Sequence, residues 1–197
     1  MKFRVLAAAL VIIGNPIAAS ACTKLQPIDR AQVTELMNTV SAADANPLDQ
    51  IFAFDTLMCA EQSAVRDFTL RLGAKSSNPT IASQVVLRAI FEKENLQVRL
   101  LDVEGLSDAH YERIKTRPIE SFALRYKDLS AGCASFIRDN QCEDSNLISI
   151  SGNKLAIRAR WNRYDVDGAF VHMGDVLSGS ITFIQDQMTF PAEIDLF

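Results

Sequence analysis

Residues 146–162 read NLISISGNKLAIRARWN, and this stretch decides the fold class of the C-terminal half. Apolar and polar side chains alternate with a period of two on either side of Ser151-Gly152-Asn153, which is the pattern of two half-buried strands. The triplet between them has the composition of a tight turn. The stretch therefore predicts a hairpin, with one strand over 146–151 and the next over 154–162.

Similar short runs continue on both sides of this hairpin. Residues 96–100, LQVRL, alternate with the same period and predict an earlier strand. Beyond Pro118 we expect further strands near 120–128, 133–138, 169–173, 176–185 and 188–196. The chain from 118 to 197 is therefore predicted to be a β-rich region with an antiparallel, sandwich-like arrangement.

The chain before these strands carries helix signals. Apolar residues recur at helical spacing after Asp29, a suitable N-cap. Asn46-Pro47 and Asn78-Pro79 each place a capping residue before a proline at the first helical position, so each predicts a helix start. Further helices are expected over 61–72 and 107–115.

Runs of helix followed by runs of strand indicate the α+β class. We expect a mainly helical region of about four helices over 22–117, followed by the β-rich region 118–197. The helix that begins at Pro79 is apolar on most of its sides, so it is predicted to be the most buried one.

Residues 1–21 have the three-part plan of a secretory signal peptide. A basic start with Lys2 and Arg4 is followed by the apolar run VLAAALVII and by Ala19-Ser20-Ala21, an A-x-A cleavage site. The apolar run is about half the length that a membrane-spanning helix needs, and no later run reaches that length. We therefore expect cleavage after Ala21 and a periplasmic or secreted mature protein without a transmembrane segment.

Cys22 directly follows this cleavage site, where a bacterial lipoprotein carries its lipidated cysteine. Lipoprotein leaders resemble this one in plan, but they usually have Leu, Val or Ile three residues before that cysteine, where this chain has Ala19. Ordinary cleavage is therefore the expectation, and a protein anchored by a lipid on Cys22 is the alternative.

Four cysteines remain in the mature chain, an even number that favours two disulfides in an oxidising compartment. Three connectivities are open. Cys133 and Cys142 are nine positions apart across a polar stretch, so their spacing favours a local bridge and leaves Cys22 to pair with Cys59. If Cys22 carried a lipid, one cysteine would have no partner.

The mature chain is acidic. Without residues 1–21 it holds 18 Lys and Arg against 24 Asp and Glu, a formal net charge of −6. Such a chain has no excess of positive charge that would attract a polyanion, so we expect no nucleic-acid partner.

One strand of the hairpin has a basic face. In 154–162, Arg158 and Arg160 lie on the side opposite the apolar residues, and Arg163 and Tyr164 extend this face. An arginine guanidinium can donate two parallel hydrogen bonds to one carboxylate. These four residues are therefore the candidate ligand-binding residues, and the expected ligand is a carboxylate of an envelope protein or a glycan. The alternative is a solvated strand face or a charged edge that prevents aggregation.

Motifs for metal, cofactor or nucleophilic chemistry are absent from the sequence. The two histidines lie 62 positions apart, and no phosphate-binding loop or serine-hydrolase motif occurs, so we expect no metal and no cofactor. Asp165-Val166-Asp167-Gly168 lacks the decisive ligands of a calcium loop and predicts an ordinary Asp-Gly turn. Two carboxylates can catalyse glycoside hydrolysis, and Asp165 with Asp167 or Glu193 with Asp195 would be such a pair.

The sequence therefore predicts an exported protein of the bacterial cell envelope that acts as a binding or interaction module rather than as an enzyme. A small carboxylate-dependent hydrolase acting on envelope glycans is the second interpretation. An envelope lipoprotein anchored through Cys22 is the third.

Overall fold

The computed structural model describes residues 22, 24–137, 142, 145–161 and 164–197. The predicted signal peptide over 1–21 lies outside these residues. The helices are α1 (Arg30–Ser41), α2 (Pro47–Met58), α3 (Ser63–Gly73), α4 (Pro79–Glu92) and α5 (Asp108–Thr116). The strands are β1 (Asn95–Leu100), β2 (Ile119–Ala123), β3 (Tyr126–Asp128), β4 (Cys133–Ser135), β5 (Asn146–Ser151), β6 (Lys154–Trp161), β7 (Tyr164–Met173), β8 (Val176–Phe183) and β9 (Met188–Asp195).

The predicted capping residues begin three of the helices. The Asp29 carboxylate accepts the N–H of Gln32 at 2.9 Å, and the Gln32 side chain accepts the N–H of Asp29, which completes a capping box before α1. Asn46 and Asn78 each accept the N–H of the residue two positions later, and each precedes the proline that opens α2 or α4. Within the part of the chain that the structure describes, no helix is long and apolar enough to cross a membrane.

Within the described residues, the nine strands form one antiparallel sheet in the order β2-β1-β9-β8-β7-β6-β5-β4-β3. The α+β class and the order of helices before strands are confirmed. The β half is a single sheet that curls into a half-barrel, in place of two stacked sheets of a sandwich. Most strands pair with the next strand in the chain, so the hydrogen-bonded ladder is continuous from β3 to β9.

The two edges of the sheet are consecutive in the chain. Strands β2 and β3 are the edges, and only Leu124 and Arg125 join them. The Leu124 N–H donates to Glu94 O at 2.8 Å, beside β1, and the Arg125 N–H donates to Ser135 O at 2.9 Å, in β4. This link spans at most about 11 Å, whereas eight strand spacings in a flat sheet would cover about 38 Å. The sheet must therefore curl, and the single strand predicted over 120–128 is wrong because the chain changes edges there.

The Asp-Gly turn predicted at 165–168 is also wrong. These residues lie within β7, where Asp167 pairs with Arg158 of β6 and with Thr182 of β8. Two long neighbouring strands hold this segment extended, so pairing overrides the local preference of Asp and Gly for a turn. Strand β7 therefore begins at Tyr164 rather than near 169.

Helices and sheet share one hydrophobic core. Its fully buried members come from both regions and include Phe54 of α2, Ile90 of α4, Phe122 of β2 and Phe170 of β7. Helix α4 is the most buried helix, as its apolar composition predicted, with six buried residues over its fourteen. The mainly helical region 22–117 also supplies β1 to the sheet, so the two regions pack as one body.

Two disulfides brace this arrangement, with the pairings that the cysteine spacing favoured. Cys22–Cys59, with Cα atoms 5.5 Å apart, ties the segment before α1 to the end of α2. Gln26 reinforces this tie, because its N–H donates to Cys59 O and its carbonyl accepts the Glu61 N–H, each at 2.9 Å. Cys133–Cys142, with Cα atoms 6.1 Å apart, joins β4 to the segment before β5.

We expect Gly179→Ala to lower the free energy of unfolding by about 3 kcal/mol, because overpacking a well-packed site destabilises. A Cβ at Gly179 in β8 would overlap the carbonyl oxygen of Ala169 and lie 2.7 Å from Phe170 Cα, both of them backbone atoms of β7. Gly174→Ala is the control, since Gly174 has φ 69° but open space around it, so only the backbone strain of about 1 kcal/mol applies. Urea unfolding at unchanged m-value measures both, and equal losses would contradict the close-packing argument.

Candidate functional site

The outer face of the sheet, the side directed away from the core, carries the candidate ligand-binding residues. On β6 the buried residues are Leu155, Ile157 and Ala159. Arg158 and Arg160 therefore lie on the outer face, as the alternation predicted. Arg163 lies outside the described residues, and Tyr164 is the first residue of β7.

A carboxylate from the next strand meets these arginines. Arg160 Nη2 donates to both carboxylate oxygens of Asp167, at 2.6 and 2.7 Å, and its Nη1 donates to Val166 O at 2.8 Å. Arg158 stands opposite Asp167 in the strand register, with its Nε 4.0 Å from Asp167 Oδ1. The basic face predicted on β6 is therefore a mixed face of arginines and carboxylate once β7 is paired with it.

A groove of about 600 Å³ opens on this face, and we call it the β4–β7 groove. Its lining residues are Ala131, Cys133, Cys142, Leu147, Ser149, Ala156, Ile157, Arg158, Asp167 and Gly168. Small side chains make the floor, the Cys133–Cys142 disulfide lies along the lining, and Arg158 and Asp167 supply charge. Of the four predicted ligand-binding residues, the groove includes Arg158, and Arg160 lies beside it as the partner of Asp167.

The turn before β4 holds one side of the groove in place. The Ser130 hydroxyl donates to Asp128 Oδ1 at 2.6 Å and the Ala131 N–H donates to the same oxygen at 3.0 Å. These hydrogen bonds lower the pKa of the Asp128 carboxyl. Gly132 follows with φ 63°, and a Cβ there would lie 2.7 Å from Ile150 O, so the turn packs directly against β5.

A second groove of about 530 Å³ lies near the other end of the outer face, and we call it the β1–β9 groove. Its lining residues are Lys93, Glu94, Asn95, Gln97, Arg99, Ile119, Asp195 and Phe197. Arg99 Nη2 donates to Glu193 Oε2 at 3.2 Å and to Asp195 Oδ1 at 3.3 Å. The carboxylate pair Glu193 and Asp195, noted in the sequence for hydrolysis, is therefore gathered around one guanidinium.

Both histidines make local contacts. His110 Nδ1 lies 2.7 Å from Ser107 Oγ, and His172 Nε2 lies 2.7 Å from Gly174 O. Among the described residues, no three His, Cys, Asp or Glu side chains lie together in a way that could hold a metal ion.

The sequence gives no signal for the ion pair between α2 and α4. Asp55 of α2 and Arg88 of α4 form a partly buried ion pair at 3.3 Å. Burial raises the pKa of the Asp55 carboxyl, and this effect exceeds the lowering by Arg88 and by the hydrogen bond from Gln84. Burial likewise lowers the pKa of Arg88 more than Asp55 raises it. Spacing within either helix carries no signal for a contact that forms only when the two helices pack.

Comparison with protein-family models, with curated proteins and with solved structures finds no match to this chain. The assignment of function therefore depends on the geometry of the two grooves and on the chemistry of their lining residues.

We expect Asp55→Asn to change how stability depends on pH. The raised pKa means that the folded state holds the Asp55 proton more tightly than the unfolded chain, in which the value is the ordinary 3.8. The contribution of Asp55 to the free energy of unfolding is therefore fully present at low pH and falls as the pH rises through the folded-state pKa. Asparagine has no titratable proton at this position, so the Asp55→Asn variant does not lose this contribution to the free energy of unfolding as the pH rises.

Urea unfolding from about pH 3 to pH 7 tests the sign, because the variant should gain stability relative to the unmodified protein as the pH rises. Asp49→Asn, at an exposed position of the same helix, is the control for a lost carboxylate. A relative stability that falls with rising pH would contradict the prediction.

Proposed function

We propose that this protein is an exported binding or interaction module of the cell envelope, and that it engages an envelope protein or glycan through the β4–β7 groove. The observation that carries this proposal is the groove itself, about 600 Å³ in volume, with Arg158 and Asp167 at its surface. Binding sites of small ligands and peptide segments have this order of volume, with a few placed polar groups on a largely apolar lining.

Pre-organisation supports a binding role. Arg160 is held by Asp167 and by the backbone oxygen of Val166, so the charged end of the groove has a fixed geometry before any ligand arrives. Eight of the ten lining residues lie on the paired strands β4 to β7, and a site on such elements loses little conformational entropy when it binds.

Carboxylate geometry favours binding over hydrolysis. Asp167 is engaged by Arg160, while Glu193 and Asp195 are both engaged by Arg99. In glycoside hydrolysis, one carboxyl group must donate a proton to the bond and a second must act from the opposite side of the sugar. The carboxylates of Asp167, Glu193 and Asp195 are instead hydrogen-bonded to guanidinium groups, which supports a binding role.

The disulfides support export. Structural disulfides persist in oxidising compartments, and this fold contains two of them. The Cys22 sulfur is bonded to Cys59, and the thioether of a lipidated cysteine would use the same sulfur. A lipid anchor on Cys22 and this disulfide therefore exclude each other.

We expect Ala156→Trp to abolish partner capture through the groove, while Lys154→Trp leaves it unchanged. Both residues are exposed on the outer face of β6, but only Ala156 lines the groove. Tryptophan suits an exposed strand position, so both variants should fold. The assay is photo-crosslinking in the living envelope from benzoylphenylalanine at Leu147, which lines the groove.

An adduct that forms from position 147, disappears with Ala156→Trp and persists with Lys154→Trp supports the proposal. Adducts that survive Ala156→Trp, or that form equally from Thr182 on the outer face of β8, would overturn it. Turnover of purified envelope glycan by the protein would favour the hydrolase instead.

Intact mass tests export and disulfide formation together. Protein purified from the envelope should have the mass of a chain that begins at Cys22 and should react with no alkylating reagent until it is reduced, when four thiols become available. A mass increased by a diacylglyceryl group, with one thiol reactive before reduction, would replace the exported form with the lipoprotein.

A further inference from the structure

We infer that the β1–β9 groove is a second, independent binding site, and that its ligand is a neutral oligosaccharide. This site is distinct in residues from the β4–β7 groove, because the two linings have no residue in common. The inference rests on three features of the β1–β9 groove: its planar polar side chains, its balance of charge and its apolar flanks.

Planar polar groups line the groove along one strand. Asn95, Gln97 and Arg99 occupy alternate positions of β1, and all three are exposed while Leu96, Val98 and Leu100 between them are buried. The two amides each offer a donor and an acceptor side by side, and the guanidinium offers a fork of donors. Neighbouring hydroxyl groups on a sugar ring present the complementary pattern of donors and acceptors.

The charges at the groove nearly balance. Its lining contains two basic residues, Lys93 and Arg99, and two acidic residues, Glu94 and Asp195. Arg99 also contacts Glu193 beside the groove, at 3.2 Å. With Glu193 counted, three carboxylates accompany two cations, so the site has no excess positive charge that would attract an anion. Its amide and guanidinium groups are therefore suited to a hydroxyl-rich neutral ligand.

Apolar surface flanks this polar row. Phe197 lies in the lining, and its ring is backed by Arg71 of α3, whose guanidinium carbon is 4.9 Å from the ring centre. Ile119 of β2, which is 48% exposed, also lies in the lining. Such surfaces suit the C–H faces of sugar rings, and a volume of about 530 Å³ accommodates a short oligosaccharide.

Titration of the ¹⁵N-labelled protein with maltotriose and with tri-N-acetylchitotriose tests this inference by NMR. We expect at least one of these neutral sugars to shift the amide signals of β1, and Gln97→Ala to weaken that binding about tenfold or more by removing hydrogen bonds. Thr182→Ala is the matched control, because it truncates a polar outer-face residue of β8 that lines neither groove and should leave sugar binding unchanged.

Arg99→Lys separates planar recognition from charge, since lysine keeps the charge and loses the fork. We expect it to weaken sugar binding while the fold, monitored by the same spectra, is retained. Failure of both sugars to shift the β1 signals, or equal affinity of Gln97→Ala and the unmodified protein, would overturn the inference. Tighter, Arg99-dependent binding of trigalacturonate would overturn the neutral class and leave an anion site.

These outcomes are distinguishable from those of the β4–β7 groove. Ala156→Trp should leave sugar binding at β1 intact, whereas Gln97→Ala should leave the photo-crosslinks from Leu147 intact. Either site can therefore fail in its own experiment while the other stands.

Discussion

The covalent join between the two edges of the sheet is the constraint on which the rest of the structure depends. Because Leu124 and Arg125 lead directly from β2 to β3, the joined ends of the two edge strands must come within about 11 Å of each other. Lys127 of β3 contacts the C-terminal end of helix α4 near this join. Its ammonium donates to the carbonyl oxygens of Phe91 and Lys93 at 2.8 and 2.6 Å. Curling directs one face of the sheet toward the helices and the shared core, so the other face is directed outward.

Cross-strand register then determines the chemistry of that outer face. Arg158 and Arg160 of β6 meet Asp167 of β7, and Arg99 of β1 meets Glu193 and Asp195 of β9. Exposed ion pairs of this kind add little to stability. Their larger consequence is positional, because each pair fixes charged groups at the surface of a groove. The two grooves differ in the rest of their lining, one being mainly small and aliphatic and the other mainly planar and polar.

Buried polar contacts elsewhere serve packing. Arg113 of α5 donates to the buried carboxylate of Glu120 in β2 at 2.8 Å, and its guanidinium lies 4.2 Å from the centre of the Phe183 ring in β8. This contact fixes α5 against the sheet much as Asp55 and Arg88 connect α2 to α4. Both pairs carry a desolvation penalty, so they specify how the elements pack more than they stabilise the fold.

The sequence by itself determined the local elements: the helix starts at Asn46-Pro47 and Asn78-Pro79 and the alternating faces of β6. It favoured, without deciding, the disulfide pairs that the structure contains. Capping, periodicity and cysteine spacing are local properties, and they can be seen without neighbours. Tertiary structure alone decided that residues 120–128 belong to two different edge strands and that Asp165 to Gly168 are extended. It also decided that Arg160 binds Asp167. Each of these outcomes depends on which strand lies alongside, and pairing between distant segments leaves no periodic signal in either segment.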